Sequence, residues 1–225
     1  MPKSTSTSAP LPSAEGENEI TLNLLRAIHE KSNVTQRSLA GEVGIALGLA
    51  NSYLKRCAKK GFIKISQAPR NRYMYYLTPS GFAEKSRLTA EYLTQSFNFM
   101  RIARHQCTEA YEHCVERDWR RIAFWGVSDL AEIAILCATE HDITPVGLIQ
   151  PDAEATHFHE LPVVSDISAL GGVDAVLITN YSNPQKTYND ARRAHPQNNV
   201  LTLPILNISR QGMAGIVQNE EAGLQ

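Results

Sequence analysis

The sequence predicts an α/β chain in two parts, and three observations carry that prediction. Between Val43 and Ala83 there is no acidic residue, while Lys55, Arg56, Lys59, Lys60, Lys64, Arg70 and Arg72 fall in a pattern that reads helix, turn, helix, hairpin. From Pro79 to about Asp118 only Gly81 could interrupt a helix, so one long helix follows. From Arg121 onward, short apolar runs alternate with helical stretches, the pattern of a doubly wound parallel sheet. The expected order is an N-terminal winged helix-turn-helix, a long connecting helix and a C-terminal parallel sheet. The boundaries are a disordered tail over 1–17, a DNA-binding domain over 18–78, a linking and dimerising helix over 79–118, a ligand-binding domain over 119–210 and a second tail over 211–225.

A chain of 225 residues can bury two cores. Its 22 Lys and Arg against 23 Asp and Glu suggest no nucleic-acid partner until the chain is divided. Met1 to Ile122 holds 18 basic and 11 acidic residues, a net of +7, whereas Ala123 to Gln225 holds 4 and 12, a net of −8. A basic half can meet DNA while the acidic half is repelled from it. The segment from Met1 to Gly16 is rich in Ser, Thr and Pro and reads as a tail rather than an export signal. No apolar run reaches the roughly 20 residues of a bilayer span, so a cytoplasmic protein with no membrane partner is expected. The four cysteines lack the paired spacing of zinc sites and suit reduced thiols.

Ile20, Leu24, Leu25 and Ile28 recur at helical spacing, giving a first helix from about Asn18 to Lys31. Thr35 is the N-cap of a short second helix through Leu39 and Val43, opened by Gln36 and Arg37, and Gly44 supplies the turn. The third helix starts near Ala46 and ends at Gly61, with Leu47, Ala50, Leu54 and Cys57 on one face. Gly48, Asn51, Ser52, Lys55 and Lys59 share the other, with Arg56 beside them. Such a face suits a DNA groove: Gly48 allows close approach, Asn51 has the paired donor and acceptor that read adenine, and the cations reach phosphates. Phe62 to Ile65 and Tyr73 to Leu77 are two strands, and Arg70, Asn71 and Arg72 form a basic tip between them, as a minor-groove or phosphate contact requires.

Thr78-Pro79 is an N-cap followed by proline at the first helical position. Leu93, Met100, Cys107 and Cys114 are spaced by sevens, with Phe97, Ala103 or Arg104, and Ala110 or Tyr111 between them. That heptad pattern predicts a coiled-coil seam and a homodimer, with the cysteines as packing residues. The order of elements, with Tyr76-Leu77-Thr78-Pro79-Ser80-Gly81-Phe82-Ala83 leaving the hairpin for a long helix, resembles bacterial winged-helix regulators of the MarR-like type over about Asn18 to Leu93. The resemblance implies DNA binding.

Arg121 to Trp125 reads as a strand running into Gly126-Val127-Ser128-Asp129, then a helix to about His141. Further strands are expected at Val146–Ile149, Val163–Val164, Ala175–Ile178 and Val200–Leu203, with helical stretches at Asp166–Leu170 and Pro184–Ala194. In such sheets the ligand lies beyond the carboxyl ends of the strands. Gly126 holds the first position of a glycine-rich phosphate turn, and Ser128 and Ala131 replace its other glycines. Two readings stand open: Ser128 caps the helix and bonds an anion, or the turn is structural, with Asp129 and Glu132 opposing a pyrophosphate. Gln150 and Asp152 follow the second strand, and Thr179, Asn180, Tyr181 and Ser182 follow the fourth, facing the same crevice. His157-Phe158-His159-Glu160 reads as a loop, with no third ligand to make a metal site. No nucleophile and base pair stands out, so no enzyme is expected.

The pieces Ile122-Ala123-Phe124-Trp125-Gly126, Val146-Gly147-Leu148-Ile149, Leu161-Pro162-Val163-Val164 and Asp174-Ala175-Val176-Leu177-Ile178 resemble Rossmann-like domains of sugar acyltransferases and CoA-binding proteins. The two-part layout is similar to NADH-sensing repressors and, more closely, to winged-helix regulators of exopolysaccharide synthesis. These resemblances imply a nucleotide, nucleotide-sugar or nicotinamide dinucleotide as effector. The expected protein is a homodimeric DNA-binding regulator whose small-molecule effector changes the domain angle through the long helix. The competing reading is an enzyme or metabolite-binding module whose winged helix makes protein contacts. A third keeps DNA binding and makes the sheet an assembly platform.

Overall fold

The computed structural model describes residues 14–31, 34–68, 72–153 and 156–210. Residues 1–13 and 211–225 of the expected tails, and Arg70 and Asn71 of the expected wing tip, lie outside the described residues, as does the Arg72 side chain. The chain divides into two compact units, 1–97 and 98–225.

The first unit holds α1 (Ala14–Glu30), α2 (Gln36–Val43), α3 (Leu47–Lys59), β1 (Ile63–Ala68), β2 (Arg72–Leu77) and the start of α4 (Pro79–Glu116). Helix α1 begins before the expected Asn18, and its Glu17 is anchored on Arg56 at 2.8 Å. Thr35 caps α2 in a reciprocal pair with Ser38, and Gly44 ends it in the left-handed conformation (φ 71°), which costs glycine no Cβ clash. In α3, Ala50, Tyr53, Leu54 and Cys57 are buried. Leu47, expected on that face, is 40% exposed because it opens the helix, and Tyr53 takes a core place instead. The hairpin pairs Ile63 with Leu77 and Ile65 with Tyr75. Alternation buries Ile63 and Tyr75 and leaves Lys64 and Tyr76 outside. Together with Leu24, Leu25, Leu39 and Leu88 these residues make one core.

Thr78 welds the hairpin to α4. Its Oγ1 accepts from the Gly81 N–H at 3.0 Å and donates to the Gly61 carbonyl at 2.5 Å. At Gly81 a Cβ would run into the Phe62 carbonyl, so only glycine admits this approach.

The second unit holds the end of α4, then β3 (Arg121–Trp125), α5 (Asp129–Ala138), β4 (Thr144–Ile149), β5 (His157–Phe158), β6 (Leu161–Val164), β7 (Ala175–Ile178), α6 (Pro184–Ala194) and β8 (Val200–Leu201). The sheet order is β5-β6-β4-β3-β7-β8, and every pairing is parallel except β5 with β6. The molecule is thus mixed α/β, with a winged helix-turn-helix, a long helix and a mostly parallel sheet of Rossmann-like arrangement. Two expectations are corrected. His157-Phe158 is a short strand rather than loop, because Phe158 pairs with Leu161 across a turn at His159 and Glu160. The heptad stripe of α4 is not one seam: Ala103, Cys107, Tyr111 and Cys114 are fully buried in the core of their own unit, and the Tyr111 hydroxyl donates to the Ala134 carbonyl at 2.6 Å. Leu93, Phe97 and Met100 are 45%, 65% and 45% exposed. A heptad specifies which face is apolar but not what covers it, and the core of the chain's own second unit covers the second half.

Candidate functional site

In the first unit, α2, Gly44 and α3 form the helix-turn-helix. Gly48, Ser52, Lys55 and Lys59 are exposed along one stripe of α3, at spacings of four, three and four that put them on a single face. Asn51 flanks that stripe half-buried, and its Oδ1 is buried without a hydrogen-bond partner. The adenine pair expected of Asn51 therefore needs its amide to turn outward. Arg37, Lys55, Lys59 and Lys64 are exposed and, among the described residues, have no carboxylate partner. Lys64 was not among the expected contacts, although the outward phase of its strand marks it.

Arg56 differs from these. Its guanidinium holds Glu17 and lies 5.1 Å over the Tyr53 ring, so its charge is already answered. Gln36 is half-buried. Burial pushes the ionisation of Tyr75 up, and its hydroxyl is buried without a hydrogen-bond partner. Burial likewise pushes the Cys57 thiol up to about 11, which keeps it protonated and inert on the buried face of α3.

Residues 17–64 match the family model described as winged helix-turn-helix DNA-binding. The first unit is a winged helix-turn-helix. No curated protein matches the chain. Among solved structures, the PcaV transcriptional regulator from Streptomyces coelicolor is 19% identical over 36% of this chain and 62% of its own, with a TM-score of 0.35. MepR, a transcription regulator of the Staphylococcus aureus multidrug efflux pump MepA, in its complex with DNA, is 20% identical over 38% and 61%, with a TM-score of 0.33. Sso10a-2, a DNA-binding protein from Sulfolobus solfataricus, is 21% identical over 44% and 92%, with a TM-score of 0.32. This chain thus spans about three fifths of PcaV and MepR. The winged helix carries its reading on the family match and its own geometry.

In the second unit, the carboxyl ends of β3, β4 and β7 bring most of the expected ligand residues together. Ser128 Oγ accepts from the Ala131 N–H, capping α5, and donates to the Thr179 carbonyl at 2.8 Å. Thr179, fully buried, donates through Oγ1 to the Gly126 carbonyl at 2.6 Å. The Gln150 Oε1 accepts from the Val127 N–H at 3.3 Å. Gly126 has φ 118°, and a Cβ there would press on the Asn180 backbone. Asn180 in turn accepts from the Ser182 and Asn183 N–H groups. Asp129, Asp152 and Tyr181 are exposed at the margin.

These bonds turn inward. The Val127 donor is spent on Gln150, the Ala131 donor on Ser128, and Asp129 and Glu132 occupy the first turn of α5. The geometry as it stands fits a pyrophosphate poorly and serves first to lock three strand ends. Of the two histidines, His159 Nε2 sits 3.7 Å from Glu132, and among the described residues no group of His, Cys, Asp and Glu is arranged to hold a metal ion. Among the same residues no helix is long and apolar enough to cross a membrane.

Proposed function

We propose that this protein is a transcriptional regulator that binds double-stranded DNA as a homodimer and answers to a small-molecule effector in its second unit. The carrying observation is the exposed α3 stripe together with four cations, Arg37, Lys55, Lys59 and Lys64, that no carboxylate answers among the described residues. An unpaired surface cation in an acid-free stretch gains most from a phosphate, where its arrival releases a condensed counterion. Gly48 and Ser52 face the bases in this reading, Lys55 and Lys59 the backbone, and Arg70, Asn71 and Arg72 would extend the contact at the wing. Exposed Leu93, Phe97 and Met100 of α4 are the apolar face for a second copy, and the two-fold would demand a pseudo-palindromic operator.

A nucleotide-type effector belongs to the same proposal, at the strand ends bounded by Gly126, Ser128, Gln150 and Thr179. Its physical condition is an exchange: a ligand oxygen must take the Val127 N–H from Gln150.

Fluorescence anisotropy with labelled duplexes at several salt concentrations tests the DNA reading, with light scattering for the dimer. Each of Lys55→Ala, Lys59→Ala and Lys64→Ala should flatten the logarithmic salt slope by about 0.9 for every phosphate that the lysine neutralises. Ser52→Ala should weaken sequence discrimination and leave the slope unchanged. Duplex binding that ignores salt and all three lysines would sink the proposal.

A further inference from the structure

Among its described residues, the connection between β4 and β6 holds no helix. Parallel neighbours are normally joined by a crossover that carries one. Here β3 reaches β4 through α5, and β7 reaches β8 through α6. Residues 150–160, between β4 and β6, contain the short strand β5 and, among the described ones, no helix. The order β6-β4-β3 makes this second crossover step in the same direction as the first. A right-handed helix in it would therefore lie beside α5 on the same face of the sheet. That place is a groove of about 440 Å³.

Ile135 and Leu136 of α5, Pro145 at the start of β4 and Leu161 at the start of β6 form its apolar wall and floor. Leu136 is 56% exposed, so a large apolar side chain faces solvent there. The polar lining is Glu132 from α5 with His159 and Glu160 from the β5–β6 turn, and no Lys or Arg joins them. His159 reaches toward Glu132 at 3.7 Å, and Glu160 has no cationic partner among the described residues. The groove lies beside the amino ends of β4 and β6 and extends along α5 to Glu132 in its first turn.

We propose that this groove binds a small organic cation: an apolar body laid on Leu136, Ile135, Pro145 and Leu161, and an amine or similar group held between Glu132 and Glu160. Its volume matches pockets that bury one drug-sized ligand, and its acidic, lysine-free lining selects against anions. The proposal is independent of DNA binding, and it shares only Glu132 with the strand-end turn.

The test is a titration of the full-length, isotope-labelled protein with 2-phenylethylamine, followed by amide chemical shifts. Its neutral and anionic counterparts, 2-phenylethanol and 3-phenylpropanoate, are run alongside. The amine should saturate shifts at Leu136, Glu160 and Leu161. The alcohol should bind roughly fivefold more weakly, the factor an exposed charge contact supplies, and the acid more weakly still. Glu132→Gln with Glu160→Gln should erase that ranking while the alcohol still binds, and Leu136→Arg should abolish binding of all three without moving the melting temperature or the DNA affinity. Equal affinities for the three probes, or shifts that persist in Leu136→Arg, would overturn the proposal. Groove shifts caused by deleting 211–225, or by changing protein concentration alone, would overturn it too, giving the groove to the chain's own tail or to a second copy.

Discussion

At the scale of single residues, Asp174 ties the second unit together at the foot of its sheet. Its carboxylate accepts from the Arg120 and Arg121 N–H groups at 2.9 and 2.8 Å, its own N–H donates to the Arg121 carbonyl, and its carbonyl accepts from Asn199. The Arg121 backbone N–H, first among several causes, holds the carboxyl below the usual range, against a smaller opposing push from burial. A carboxyl whose folded value is depressed stabilises the fold above its unfolded value, and that contribution is lost as pH falls through the folded one. Asp174→Ala should cost about 2 kcal/mol at neutral pH, the scale of hydrogen bonds to a charged acceptor. The gap to the parent should narrow as pH drops below about 3.9. Denaturant melts of both proteins at pH 7 and pH 3 check this, and a gap that stays constant would remove the carboxylate from the account. Nothing in a lone Asp beside an apolar run marked this role, because both partners are backbone groups fifty residues away.

At the scale of elements, α4 shows what a pattern can and cannot specify. Its start was legible, since Thr78-Pro79 caps it and Gly81 admits the Phe62 carbonyl. Its length was legible too. The partner of its apolar stripe was not, because a heptad presents the same face to a sister helix and to a sheet. The structure settles Cys107 and Cys114 in the core of the second unit, and burial pushes their thiols up to about 12 and about 11. Such thiols stay protonated at neutral pH and are poor nucleophiles. The native protein at pH 8 should thus take up iodoacetamide slowly at all four cysteines, each of which is buried, and quickly once unfolded. Mass spectrometry of tryptic peptides reads the sites, and rapid native labelling of Cys107 or Cys114 would contradict their packing. The β5 strand escapes a sequence reading for a related reason: two residues are too few for a period, and only pairing with Leu161 and Pro162 defines them.

At the scale of the whole molecule, the near-neutral composition concealed two units with separate cores. Charge was legible because it sums along the chain, and so was the helix-turn-helix inside the acid-free stretch, because Thr35 and Gly44 punctuate it. The inward bonding of the Gly126 turn was not, since Gln150 and Thr179 reach it from strands far apart in sequence. One core draws its residues from Leu22 to Leu88 and the other from Ala103 to Leu206. Every residue from Tyr92 to Asn98 is exposed, so that stretch of α4 rests on helix hydrogen bonds with no core beneath it. Calorimetry should therefore show two transitions rather than one. Leu88→Ala, at a side chain 2% exposed, should cost about 2–5 kcal/mol in one transition and leave the other in place. Leu148→Ala, fully buried in the second core, should do the reverse. DNA affinity measured across the same temperatures should vanish with the transition that Leu88→Ala lowers. A single transition that both substitutions lower alike would mean that the units fold as one body.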